Sequence, residues 1–186
     1  MTKVYTSAVA IIPPEDKWQP IQAIRKKYDK HVDRWMPHIN LLYPFRPEDE
    51  FESIELKFKE TCNIIKPFII HLNEFKFFSH RYNNFTIWLA PEPAEKVKEL
   101  QLELLKLVPE CNDVNRFKKG FTPHLSVGQV VGRTNLNKLL SELKKSWKTC
   151  SFKVNKVYFI SRENKKSSQF KVKKTITLGT SNNNNS

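Results

Sequence analysis

The sequence predicts an α+β fold with an internal duplication. Two observations carry this. Strand-like and helix-like periodicities follow one another as strand, helix, strand, helix, strand, strand, helix, strand, helix, strand, strand. A Pro-His-apolar-polar-apolar segment also occurs twice, at Pro37-His38-Ile39-Asn40-Leu41 and Pro123-His124-Leu125-Ser126-Val127, 86 residues apart. A length of 186 residues suits one domain, 1–180, built of two pseudo-repeats at about 1–82 and 83–180.

The elements follow in order. Val4 to Ile12 reads as a strand closed by Pro13-Pro14. Glu15 to Tyr28 carries Trp18, Ile21, Ile24 and Tyr28 at helical spacing, with Pro20 tolerated near the first turn. Met36 to Phe45 is strand-like and stops at Pro44 and Pro47. Glu50 to Ile65 places Phe51, Ile54, Phe58, Cys62 and Ile65 on one helical face. Phe68 to Phe78 and Phe85 to Ala90 are β-branched and aromatic, with Tyr82-Asn83-Asn84 as turn material between them. Glu92 to Val108 is a helix faced by Val97, Leu100, Leu104 and Leu107, ending at Pro109. Phe121 to Val131 is a strand. Thr134 is the expected N-cap of a helix bearing Leu136, Leu139, Leu140, Leu143 and Trp147. Phe152 to Ile160 and Phe170 to Leu178 are the last strands, joined by a basic polar connection from Ser161 to Gln169. The Asn-rich stretch 181–186 reads as a disordered tail outside the fold.

Composition excludes several classes. Hydrophobic residues at 39% and 13 phenylalanines can fill a core. A mean hydropathy of −0.54 and the absence of a long apolar run argue against a membrane span. Residues 1–14 lack the apolar core and cleavage site of a signal peptide. Cys62, Cys111 and Cys150 are odd in number and widely spaced, so neither a disulfide framework nor a paired zinc motif is expected. A reducing compartment follows, cytoplasmic with the nucleus left open. The four glycines form no Walker or Rossmann phosphate loop. Lys and Arg total 32 against 19 Asp and Glu, and a net charge of +13 favours polyanionic partners.

The repeated segment supplies the chemistry. Side chains alternate along a strand, so His38 and Asn40 share one face while Ile39 and Leu41 take the other. His124 and Ser126 pair in the same way. If the halves are related by a pseudo-twofold axis, two imidazoles converge on one cleft, where they can act as general base and general acid. No carboxylate or cysteine stands at metal spacing beside either histidine, so no metal or other cofactor is expected. Ser126 lacks the Gly-x-Ser-x-Gly elbow of a serine nucleophile.

The two tetrads His38-Ile39-Asn40-Leu41 and His124-Leu125-Ser126-Val127, in the settings PHINLLYPF and FTPHLSVGQ, resemble the 2H phosphoesterases, the LigT-like 2′-5′ RNA ligase/cyclic phosphodiesterase superfamily. The likeness runs from about residue 3 to 179. It implies a bilobal fold with two antiparallel sheets forming a central cleft and helices outside. It also implies metal-independent cleavage of 2′,3′-cyclic phosphates or other phosphodiesters at RNA ends or in small nucleotides, commonly leaving a 2′-phosphate. RNA 3′ ends, tRNA fragments, 2′-5′ oligoadenylate, mononucleotides and ADP-ribose cyclic phosphate are all substrates such a protein could take. Asn40 departs from the family's Thr or Ser, though an amide still donates to a phosphate oxygen.

The resulting expectation is a monomeric phosphodiesterase with His38, Asn40, His124 and Ser126 as catalytic residues. Tyr43 is a candidate base-stacking residue, although strand parity points both it and Phe45 at the core. Lys118, Lys119 and Arg162 are candidate phosphate contacts. Trp18, Trp88 and Trp147 lie in apolar patterns and are expected in the core. The alternative function is a non-catalytic RNA- or nucleotide-binding module using the same cleft, and a third is a basic scaffold domain.

Overall fold

The structure is a computed structural model, and it describes residues 2–115 and 120–179. Eight strands and four α-helices are present among them: β1 (Ser7–Ile11), α1 (Trp18–Tyr28), β2 (Ile39–Leu42), α2 (Phe51–Asn63), β3 (Phe68–His80), β4 (Asn84–Glu92), α3 (Ala94–Leu107), β5 (Leu125–Val131), α4 (Arg133–Ser146), β6 (Cys150–Val154), β7 (Lys156–Ser161) and β8 (Lys171–Thr177). The strands form two four-stranded antiparallel sheets, ordered β2-β1-β7-β8 and β5-β4-β3-β6. The fold is α+β, with the two sheets meeting where β2 approaches β5.

The sheets do not follow the order of the halves. β3 joins β4 in the second sheet, while β7 and β8 return to β1 in the first. The helices cross over as well: α1 packs on β5, α4 on β3 and β5, α2 on β8, and α3 touches β2. One large apolar core runs between sheets and helices, including Val9, Ile21, Leu41, Phe45, Phe58, Leu89, Leu104, Leu125, Val127, Leu143 and Phe159. Gly128 of β5 lets α1 approach. A Cβ there would stand 2.5 Å from Tyr28 Cβ and 3.1 Å from the Tyr28 carbonyl oxygen. Cys62, Cys111 and Cys150 are free and buried, and burial pushes the Cys62 thiol up to about 12.

Three local expectations change. The stretch expected as one strand, 152–160, is two strands in different sheets, β6 and β7, parted at Asn155. The buried side chains show why: Phe152 and Val154 share one parity, Val157 and Phe159 the other. Thr134 does not cap α4, which is entered through Gly132 at φ 92. Finally, β2 and β5 begin later than the apolar pattern suggests. Pro37 and Pro123 carry no N–H to give a ladder, so each histidine stands just before its strand. The stretch 181–186 lies outside the described residues. Among the described residues no helix is long and apolar enough to cross a membrane.

Candidate active site

His38 and His124 are held in the same way. His38 Nδ1 lies 2.8 Å from the Met36 carbonyl oxygen, and His124 Nδ1 lies 2.8 Å from the Thr122 carbonyl oxygen. A carbonyl only accepts, so in each ring Nδ1 carries the hydrogen and donates. In the neutral ring, Nε2 then keeps its lone pair. The intervening prolines set the repeated geometry, because each fixes φ between the accepting carbonyl and the histidine. Both rings are partly exposed.

Electrostatics favour the neutral rings. Burial pushes the His38 imidazole down to about 4. The bond to Met36 opposes this, while Arg25 and His124 add positive charge that lowers it further. Burial also lowers His124, against the bond to Thr122.

Strand register builds the walls beside them. Asn40 on β2 pairs with Ala10 on β1, and Ala10 with Tyr158 on β7. In the second sheet Ser126 pairs with Trp88, and Trp88 with Lys76. The rows Asn40–Ala10–Tyr158 and Ser126–Trp88–Lys76 have the same form: each starts two residues after a histidine and crosses its sheet. Asn40 and Ser126 are partly exposed, and Asn40 Oδ1 is enclosed without a hydrogen-bond partner.

Each histidine has its own aromatic setting. Trp35 lies flat on His38, centroids 4.4 Å apart at 14°, and its indole also stacks on Phe170 at 3.6 Å and 19°. His124 instead meets Phe78 edge to face at 5.0 Å and Trp88 at 5.9 Å, while Phe78 and Trp88 stack at 4.9 Å. Trp88 is buried, as its pattern suggests, and also forms a wall of the histidine site, whereas Trp18, likewise expected in the core, is only half-buried. Trp18 and Trp147 give their indole N–H to the Pro13 and Leu72 carbonyls, but Trp88 Nε1 is enclosed with no partner.

Tyr43 lies outside the main core. Phe45 is fully buried within it, but Tyr43 joins Ala8, Ala10, Trp35 and Phe170 in a second cluster. Its ring stands edge-on to Trp35, and its hydroxyl donates to the Tyr5 carbonyl at 3.3 Å. Arg162 lies over Phe170 at 5.5 Å and donates through Nη1 to the Glu163 and Lys165 carbonyls at 2.9 and 3.2 Å. It borders a groove of about 510 Å³ shared with Glu48, Lys165, Ser168, Lys171 and Lys173. Lys118 and Lys119 lie outside the described residues.

Periodicity did not single out the residues that brace the site. Arg25 is buried against Asp29, with Nε and Nη2 each 2.8 Å from Asp29 Oδ2. Asp29 Oδ1 accepts from the His31 N–H at 3.0 Å and from Gln129 Nε2 at 3.2 Å, and Gln129 Oε1 accepts from the Lys30 N–H at 3.1 Å. The segment leading to Trp35 and His38 is thus tied to β5, the strand that follows His124. The available sequence signal was an aromatic three residues before His38 in a stretch with no helical or strand period. Among the described residues, no group of three or more His, Cys, Asp or Glu side chains is arranged to hold a metal ion.

A family profile described as the 2′-5′ RNA ligase superfamily matches residues 13–166, a span that includes both histidines and both strands that follow them. The chain belongs to the 2′-5′ RNA ligase superfamily. Membership makes it a 2H phosphoesterase-type protein and supports a role in phosphoric ester hydrolysis. A Bacillus cytotoxicus protein provisionally named a phosphoesterase is 27% identical over 139 residues, covering 73% of this chain and 76% of its own. A similarly named protein of Oceanobacillus iheyensis is 25% identical over 137 residues, with the same two coverages. Solved structures share the fold of this superfamily member. The Thermus thermophilus protein TT0787 superposes with a TM-score of 0.63 at 18% identity, over 93% of this chain and 97% of that one. E. coli LigT complexed with phosphate superposes with a TM-score of 0.61 at 13% identity, over 96% and 100%. LigT has also been solved with 3′-AMP.

Proposed function

We propose that this protein is a metal-independent phosphodiesterase that opens 2′,3′-cyclic phosphates at RNA ends or in nucleotides. The observation that carries this reading is the matched pair of Nδ1–H to carbonyl bonds at His38 and His124. Two rings locked in one tautomer offer two Nε2 atoms to a single phosphate. One removes a proton from the attacking water, and the other, protonated, gives a proton to the leaving ribose oxygen. Attack opens the ring and leaves a phosphomonoester, expected on the 2′ oxygen. The pseudo-symmetry leaves the choice of base and acid to the way the substrate lies.

Ser126 and the amide of Asn40 sit at equivalent places in the two rows. As donors to the non-bridging oxygens they would offset charge that builds in the transition state. The nucleotide bound in a LigT structure agrees with a nucleotide ligand here. The chain's net charge of +13 agrees with an RNA partner.

The deciding experiment is product analysis on cyclic-ended oligoribonucleotides and mononucleotides with EDTA present. Release of a 2′-phosphomonoester supports the reading. Tight binding without turnover would instead favour a binding module, the reading that Asn40 motivates by replacing the family's hydroxyl.

A further inference from the structure

The β3–β4 hairpin carries a feature that the histidine chemistry does not use. From Phe75 to Pro91 the chain has no carboxylate, while it carries Lys76, His80 and Arg81. Lys76, Phe78 and His80 alternate along β3 and so share a face with Thr86 and Trp88 of β4, their register partners or neighbours. That face begins at the site, where Phe78 touches His124 at 5.0 Å. It continues through His80, whose Nε2 lies 2.9 Å from Thr86 Oγ1, to the loop of Arg81, Tyr82 and Asn83.

The tip is built against its own conformational preference. Tyr82 and Asn83 both adopt left-handed backbone, at φ 59 and 57. Asn tolerates this region, but a bulky aromatic is rarely found there. The Tyr82 side chain gains nothing from packing in return, since the residue is 89% exposed. A polar turn residue would close the hairpin with less strain, so folding does not account for an aromatic at this position. An exposed ring beside an arginine, on a strip whose one carboxylate, Glu74, is paired with Lys76 at 3.0 Å, is the arrangement that stacks bases and tracks phosphates of a single strand.

We infer that the cleft face and tip of the β3–β4 hairpin form a track for single-stranded RNA, with Tyr82 and Arg81 contacting nucleotides upstream of the one held at the histidines. The substrate class is then an oligoribonucleotide end rather than a free mononucleotide. The spacing supports this: three residues, Ser79 to Arg81, separate Tyr82 from Phe78, so the tip stands beyond the strand position that touches His124. This rests on the phosphodiesterase reading for the position of the RNA end.

The test compares wild type with Tyr82→Asn and Arg81→Gln. The binding probe is a fluorescein-labelled, 3′-phosphate-ended pentaribonucleotide. The activity probes are a 2′,3′-cyclic-ended pentamer and a 2′,3′-cyclic mononucleotide. Tyr82→Asn should weaken pentamer binding about tenfold, the scale of one stacked base, and lower kcat/KM for the pentamer alike. Mononucleotide turnover should not change, and Tm should stay level or rise. Arg81→Gln should flatten the salt dependence of pentamer binding by roughly 0.7 in log–log slope. Pentamer binding unchanged in both variants overturns the track. If the mononucleotide is turned over and the pentamer gains nothing over it, the track fails while the phosphodiesterase reading stands. Pentamer binding that depends on Tyr82 in a protein without turnover keeps the track and removes the catalytic reading.

Discussion

Trp35 and His38 stack with their rings nearly parallel, 14° apart in orientation with ring centroids at 4.4 Å. The indole also stacks on Phe170, whose N–H donates to the Arg34 carbonyl at 2.9 Å. Stacked on both His38 and Phe170, Trp35 is committed to protein contacts. It positions His38.

Trp35→Ala should therefore lower kcat more than it raises KM on a 2′,3′-cyclic nucleotide. A fall of about 10- to 100-fold is expected for a catalytic ring freed by an ångström or so. Trp35→Phe, which keeps a ring in the stack, should stay within a few-fold of wild type. Equal kcat values for the alanine variant and wild type would show that the stack does not position the imidazole.

His38→Ala and His124→Ala should each reduce turnover by about 10²–10⁴-fold, the range for loss of one proton-transfer group. Both residues stand just ahead of their strands and are partly exposed, so the far-UV spectrum and melting temperature should change little. Wild-type rates in both variants, on every phosphodiester tried, would remove the acid–base mechanism.

The depressed imidazoles make stability fall on acidification. His38 titrates at about 4 in the folded chain against an ordinary 6.5, so between those values the unfolded chain holds more protons. The stability linked to this group is complete above 6.5 and is lost as pH falls toward 4. It amounts to on the order of 3 kcal/mol. Urea melts at pH 7 and pH 4 should show a smaller acid loss for His38→Gln than for wild type. Activity runs the other way: one ring must be protonated, so kcat/KM should rise as pH falls from 8 toward 6.

Gly128→Ala tests how α1 is seated. The added Cβ would meet Tyr28 Cβ at 2.5 Å and must push the end of α1 off β5. A loss of about 1–3 kcal/mol is expected, with a lower melting temperature. Because the displaced helix leads to Asp29 and then to Trp35 and His38, turnover should fall beyond what unfolding explains. A variant with unchanged melting and unchanged kcat would mean that the helix has room to spare.

Much of this was legible in the residues because it follows from short-range rules. The four helices show period 3.6, and the two tetrads place His and Asn, or His and Ser, on one strand face whatever the fold does elsewhere. The fold class and the family follow from those local regularities. What could not be read depends on pairing between distant segments. Trp88 reads as a buried residue and is one, but only register sets it beside Ser126. The change of parity at Asn155 was visible, but its meaning, a strand changing sheets, required knowing that β7 pairs with β1. The Asp29–Gln129 bond joins residues 100 apart, and no periodicity could have announced it.

The interleaving of the two sheets also governs how the chain must be made. The first sheet is seeded by β1 and β2 but completed by β7 and β8, the last strands in the sequence. Such late, long-range closure is slow, because the loop entropy must be overcome before the contacts form. During synthesis the amino-terminal strands leave the ribosome with β1 lacking its β7 neighbour, and they stay so until residues 156–177 have emerged. The nascent chain therefore has no halfway point at which one lobe can finish folding alone. It holds an unpaired strand edge open to chaperones and to aggregation until β7 has emerged.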